Sequence, residues 1–314
     1  MSVAATTTTL APKKGRSAAV STAADRHRIR TAFGFLLPSL FGVVIFLVIP
    51  VTMVIVLSFA RWNLLTPLKW VGLSNYANIF KFDGFGHSLL VTLFYVVLNI
   101  PIQTVLALGL AMLLNSKRAG SALIRIICVL PYLATPVAMA VVWNWFFNPT
   151  TGIINELLAH AGITGPAWLS DAATALPVIA FVNIWQYAGY NMLFFLAGLQ
   201  AVPNTLYEAA SLDGAGKIAQ FRRVTLPLLR PTMLFVLVTG VIGSFQVFDT
   251  VYVLTDGAPG NSTEVANLNI YNTAFIGFRI GEASAMSVVL FLVILVVTIA
   301  QFRYFNKRTV YEMG

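Results

Sequence analysis

Residues 84–116 read GFGHSLLVTLFYVVLNIPIQTVLALGLAMLLNS, and no Lys, Arg, Asp or Glu interrupts them. A helix needs roughly 20 apolar residues to cross the hydrocarbon of a bilayer, so this stretch alone can span one. His87 is its only side chain that titrates near neutral pH. Working outward, five comparable stretches follow from the positions of the charges, and spans are expected at about 31–60, 87–115, 124–147, 175–200, 231–254 and 284–304. The whole chain is 58% hydrophobic and 10% charged, against about 25% charged residues in an ordinary soluble domain. Alternating barrel-type strands are absent, which leaves helices to cross the membrane. The expected fold class is an all-α integral membrane protein with six transmembrane helices.

The cations set the orientation, because cytoplasmic segments retain Lys and Arg. With both termini in the cytoplasm, sixteen of the 20 Lys and Arg residues fall on that side. They lie in the N-terminal tail, around Lys117 to Arg125, in the segment from Lys217 to Arg230, and from Arg303 onward. Only Arg61, Lys69, Lys81 and Arg279 fall outside. The net charge of +9 then reflects topology and attraction to anionic lipid rather than a nucleic-acid partner. Residues 1–30 are rich in Ala, Thr, Ser and cations without periodicity, so a disordered basic cytoplasmic tail is expected there. A short tail over 306–314 is expected on the same side. The first span continues through Pro50 to Ala60, too long for a cleaved signal peptide.

Several chemistries are excluded. Cys128 is the only cysteine, so no internal disulfide or thiol pair forms. His27, His87 and His160 lie in three separate segments with no Cys, Asp or Glu three or four residues after any of them, and no metal site is expected. No nucleophile is grouped with a base, which argues against an enzyme. Gly214-Ala215-Gly216-Lys217-Ile218-Ala219 fits a loose dinucleotide fingerprint, but helix rather than buried strand precedes it. A phosphate-binding loop would need Gly at Ser211 and Ser or Thr at Ile218. No cofactor is expected in this chain.

The segment from residue 201 to 231 differs from the other connections. Leu206, Ala209, Ala210 and Leu212 alternate with Glu208 and Asp213 up to Gly214, where glycine permits a sharp reversal. A second helix then carries Phe221, Val224 and Leu228 on one face and Arg222 and Arg223 on the other. Such a helix-turn-helix can present an apolar knob to another protein.

Glu208-Ala209-Ala210, Gly214, Val224 and Leu226-Pro227 resemble the EAA loop of ABC importer permeases, and Asp213, Ala215, Phe221 and Pro231 extend the match toward the sugar-permease form. Trp70-Val71-Gly72-Leu73-Ser74-Asn75-Tyr76, Leu130-Pro131-Tyr132 and the run from Phe248 to Thr255 resemble the same carbohydrate-uptake branch. Glycerol-phosphate permeases are similar to it. The resemblance implies a type I ABC importer permease fold in a bacterial or archaeal cell membrane. It also implies that the loop is a coupling helix, with Glu208 and Gly214 as hallmarks. The implied partners are two cytoplasmic ATPase subunits that hold ATP and Mg, a second related permease, and an extracytoplasmic sugar-binding protein.

Polar residues within spans should face neighbouring helices or a water-filled path. Asn183, Gln186, Tyr187, Tyr190 and Asn191 share one face of the fourth span, and Phe245, Gln246, Asp249 and Tyr252 do the same on the fifth. Amides, a carboxylate and rings suit a sugar's hydroxyls and apolar face. The same residue types also join helices to one another. For the fourth span both readings stand; for Asp249 a structural role at the outer end is favoured. Asn99, Gln103, Trp143 and Trp145 are lesser candidates. The rival from another class is an ion-driven secondary transporter, which should show several buried charges and an inverted repeat. Among charged residues, only Asp249 lies inside a span beyond its terminal residues.

Overall fold

The computed structural model describes residues 23–115 and 120–306, with side chains from 31 to 305 outside that gap. The chain divides into two units, Met1–Met53 and Val54–Gly314. The expected N-terminal tail lies outside the described residues up to residue 22, and the expected C-terminal tail lies outside them from residue 307.

In the first unit the backbone is helical from Ala23, so residues 23–30, expected to be disordered, form the start of α1 (Ala23–Val43). Ala and Arg favour helix, and neither Gly nor Pro occurs between Ala23 and Gly34. One wide turn, Val44–Val48, leads into α2 (Ile49–Leu57). Its cause is Pro50, which has no N–H to offer a preceding carbonyl. Next to it, the Ile49 N–H reaches back five residues to Val44 O. Most side chains of the first unit from Thr31 onward are exposed.

The second unit opens with an antiparallel ribbon of β1 (Ala60–Arg61) and β2 (Lys69–Trp70), followed by α3 (Ser74–Lys81) and the long α4 (Phe85–Leu114). It continues through α5 (Ser121–Leu133), α6 (Pro136–Phe146), α7 (Ile153–His160) and α8 (Ala175–Ala201). Next come α9 (Asn204–Leu212), α10 (Lys217–Gln220), a wide turn (Phe221–Thr225), α11 (Leu226–Leu228) and α12 (Arg230–Phe245). The unit closes with α13 (Asp249–Leu254), α14 (Ala266–Tyr271), a further wide turn (Asn272–Ile276) and α15 (Ile280–Asn306).

The core is built where α4 packs along α8 and both meet α12. On α4 the buried residues recur every three or four positions, from Ser88 through Thr92, Tyr95, Asn99, Gln103 and Ala107 to Ala111. Leu90, Val97, Val105 and Leu113 point away and are exposed, as suits lipid contact. Lipid is as apolar as these side chains, so close packing and interhelical hydrogen bonds must hold the bundle. Gly189 shows the packing requirement: a Cβ there would run into the carbonyl of Cys128 on α5. Two apolar clusters result, one around Tyr95, Ile179, Phe245 and Met286 and the other around Ala107, Met192, Phe195 and Leu229.

Three described helices are long and apolar enough to cross a membrane: Thr31–Leu57, Phe85–Leu114 and Ile280–Phe305. Two bent pairs raise that number to five if each is one span. The third expected span is one such pair, because α5 and α6 meet at 97°. Thr135 precedes a proline and is extended, as the clash with a following proline ring requires. Its hydroxyl oxygen then accepts the Ala138 N–H and starts α6. The fifth is bent by 66° at its start, and helix stops at Phe245 and resumes at Asp249. α8 has 27 residues, but its polar stripe keeps it out of the apolar set.

Outside the long helices, Arg279 bonds Asp83 and Glu282 at once, so the loop before α4 is fastened to the start of α15. Asn78 donates to the same Glu282 at 3.3 Å, and Asn269 of α14 donates to Asp83 O at 3.1 Å.

Candidate functional site

The break between α5 and α6, the polar face of α8 and the end of α12 surround a cavity of about 240 Å³. Asn183, Tyr187, Tyr190, Asn191, Gln246 and Asp249 line it, as do Gln103, Tyr132, Ser244 and Phe248. Its shape follows from backbone features. The helix stop at Phe245 turns Gln246 to Asp249 toward the cavity, and Gly240 and Gly243 leave room along α12.

Amides knit one wall. Asn99 Nδ2 lies 3.0 Å from Asn183 Oδ1 and 2.9 Å from Ser244 Oγ, which joins α4, α8 and α12. Asn191 Nδ2 donates to Gln103 Oε1 at 3.0 Å. Asn183 and Asn191 of the α8 stripe therefore bind helices together and also face the cavity. Tyrosines form another wall. Tyr132 and Tyr190 stack at 4.0 Å and 11°, and Tyr187 meets Tyr132 edge-on at 5.5 Å.

Three expected site residues lie elsewhere, one of them Tyr252, which is exposed and stacks on Phe248. Gln186 is buried and donates to Ala134 O at 3.0 Å, satisfying a carbonyl freed by the end of α5. Phe245 is buried in the apolar core. Residues the spacing missed are Ser244, whose hydroxyl receives Asn99, and Tyr132, which stacks on Tyr190 of the α8 stripe, while Gln103, a lesser candidate, lines the cavity. Proline at 131 and 136 was the available signal for the break that presents Tyr132.

The loop expected to couple forms a helix-turn-helix. α9 carries Glu208, Ala209 and Ala210, with Glu208 and Ala209 exposed. It ends in a Schellman turn, with Ala215 N–H on Ala210 O at 2.9 Å and Gly214 N–H on Ser211 O at 3.0 Å. Asp213 is the exposed residue before the reversal, and Gly214 has φ +77°, a conformation that other residues enter with strain. Gln220 Nε2 then bonds Ser211 Oγ at 2.8 Å and Ala215 O at 3.1 Å, clamping the two arms. Phe221, Val224, Leu226 and Pro227 are half-buried, with Arg222 and Arg223 exposed. Leu212, 90% exposed, and Ile218, 74% exposed, flank the turn as apolar tips.

Residues 71–311 match the family described as the inner membrane component of binding-protein-dependent transport systems. The chain belongs to that family. Its members' helical permease fold and multi-pass membrane placement accord with the helices above. The trehalose/maltose transport system permease protein MalF of Thermococcus litoralis is 34% identical over 84% of this chain and 90% of its own length. The sn-glycerol-3-phosphate transport system permease protein UgpA of Agrobacterium fabrum is 34% identical over 77% and 83%. Among solved structures, a bacterial ABC transporter involved in import of the acidic polysaccharide alginate has a chain with TM-score 0.79 and 25% identity, covering 91% of this chain and 99% of that one.

Proposed function

We propose that this chain is the permease subunit of an ATP-driven ABC importer for a carbohydrate, taking substrate from an extracytoplasmic binding protein. The observation that carries the substrate class is the cavity lining: amides, hydroxyls and tyrosine rings, with Asp249 its only formal charge and no Lys, Arg or His. Tyrosine faces suit the apolar side of a sugar ring, and amides suit its hydroxyls. A phosphate ester would call for cations or free backbone donors. Pro136 has no N–H to give, and the Ala138 N–H is already held by Thr135. The likeness to glycerol-phosphate permeases is therefore weaker support than the likeness to sugar permeases.

In this reading both termini are cytoplasmic, and α8 completes six spans beside the three long helices and two bent pairs. The loop from residue 201 to 231 meets an ATPase subunit through Leu212 and Ile218. The chain does no covalent chemistry; ATP and Mg are held by two ATPase partners. A second permease supplies the other wall of the pathway. ATP-driven closure of the ATPases would move the loop about Gly214 and tilt α8 and α12, which flank it.

The test is uptake by proteoliposomes holding the full importer and its binding protein, offered labelled saccharides and, separately, glycerol 3-phosphate. ATP-dependent accumulation of a saccharide is expected. Uptake of glycerol 3-phosphate alone would overturn the substrate assignment.

A further inference from the structure

A row of rings continues from the cavity on the side of α13 and α14. Phe248, which lines the cavity, stacks on Tyr252 at 5.4 Å and 19°. It also meets Tyr271 at 5.1 Å, and Tyr271 meets Phe275 at 5.3 Å. Tyr252 and Tyr271 close the group at 5.6 Å. Two separate elements thus converge to make one aromatic surface. It is open at its far end, where Phe275 is 65% exposed and Tyr252 41% exposed.

The surface is also fastened. Asn267, at the start of α14, donates to Gln246 O at 2.8 Å, tying α14 to the break that forms the cavity edge. Among the described residues, the side chains of Gln246 and Asp249 make no hydrogen bond within the protein, and both are exposed beside Phe248. Free amide and carboxylate groups next to exposed rings are the pairing that a sugar needs. An interfacial aromatic belt accounts for single Tyr and Trp residues at a bilayer boundary. It does not call for rings in mutual contact that run into a polar cavity.

We propose that Tyr252, Tyr271 and Phe275 form an outer subsite that stacks on the trailing rings of an oligosaccharide whose leading ring lies in the cavity. The substrate class is then saccharides of more than one ring. This rests on the carbohydrate reading of the cavity, and the experiment separates the two.

The complete importer in proteoliposomes is given a labelled set of neutral saccharides from one to five rings, loaded on its binding protein. Kinetics are compared for the shortest and the longest saccharide that the wild type accepts. Tyr252→Ala and Phe275→Ala should raise the KM for the longest about tenfold, as the loss of one stacked ring predicts, and leave the shortest unchanged. Tyr252→Phe, which keeps the ring, should behave as wild type. An equal change at both lengths, no change at either, or a wild type that accepts single rings only overturns the outer subsite. Wild-type uptake of no saccharide overturns the carbohydrate reading itself. Should Tyr252→Ala fail to assemble, Phe275→Ala, at the exposed end of the row, decides alone.

Discussion

Gln186 and Tyr190 lie one turn apart on α8, yet truncating them should have different effects. Gln186→Ala leaves the half-buried Ala134 carbonyl without its donor, at a cost of about 1 kcal/mol. Thermal unfolding of the detergent-purified complex should shift downward while the uptake KM holds. Tyr190 instead stacks on Tyr132 at the cavity wall. Tyr190→Ala should raise the KM for sugar about tenfold, from ~1.4 kcal/mol of stacking, with a small change in melting. Periodicity made the α8 stripe legible, because polar residues in an apolar helix must face away from lipid. It could not separate Gln186 from its neighbours, since a helical face does not say which backbone lies opposite. Tyr132 and Ser244 join the site through contacts across distant helices, which leave no trace in local spacing.

At the scale of elements, the α9–α10 turn depends on a residue that tolerates positive φ. Gly214→Val puts a β-branched side chain there, at a strain of about 1–2 kcal/mol, and the loop should reshape. Substrate-stimulated ATPase activity should fall to background while the chain still inserts and retains its companion permease. Leu212→Asp combined with Ile218→Asp should abolish co-purification of the ATPase subunits, since both apolar tips are exposed for contact. The reversal at Gly214 was readable from glycine and the flanking periodicity. The clamp from Gln220 to Ser211 was not, because it needs the two arms already folded. Hydropathy also read residues 124–147 as one span: counting apolar residues measures length, while Thr135-Pro136 sets direction.

Over the whole molecule, the loops between helices tie the bundle together and bring in pH. Glu264, in the loop between α13 and α14, is half-buried; burial pushes its carboxyl above the ordinary value, and the nearby His87 partly opposes this. The folded chain therefore holds that proton more tightly than the unfolded one. The group favours folding at low pH, and its contribution is lost as pH rises through the raised folded pKa. Melting temperatures taken from about pH 4 to 7 should decline less toward neutral in Glu264→Gln than in wild type. The long apolar helices were legible because length and charge alone define them. The short helices between the long ones and the Arg279 clasp were not, because they depend on pairing across most of the chain.

The right-angled α5–α6 pair bears on biogenesis. α5 has 13 residues and α6 has 11, so each is about 20 Å long or less, against a hydrocarbon thickness near 30 Å. Neither segment can cross alone, and α8 carries too many amides to partition readily by itself. The contacts Gly189–Cys128 and Gln186–Ala134 therefore connect two poor insertion substrates. They would leave the translocon together, each supplying the partner that the other lacks in lipid.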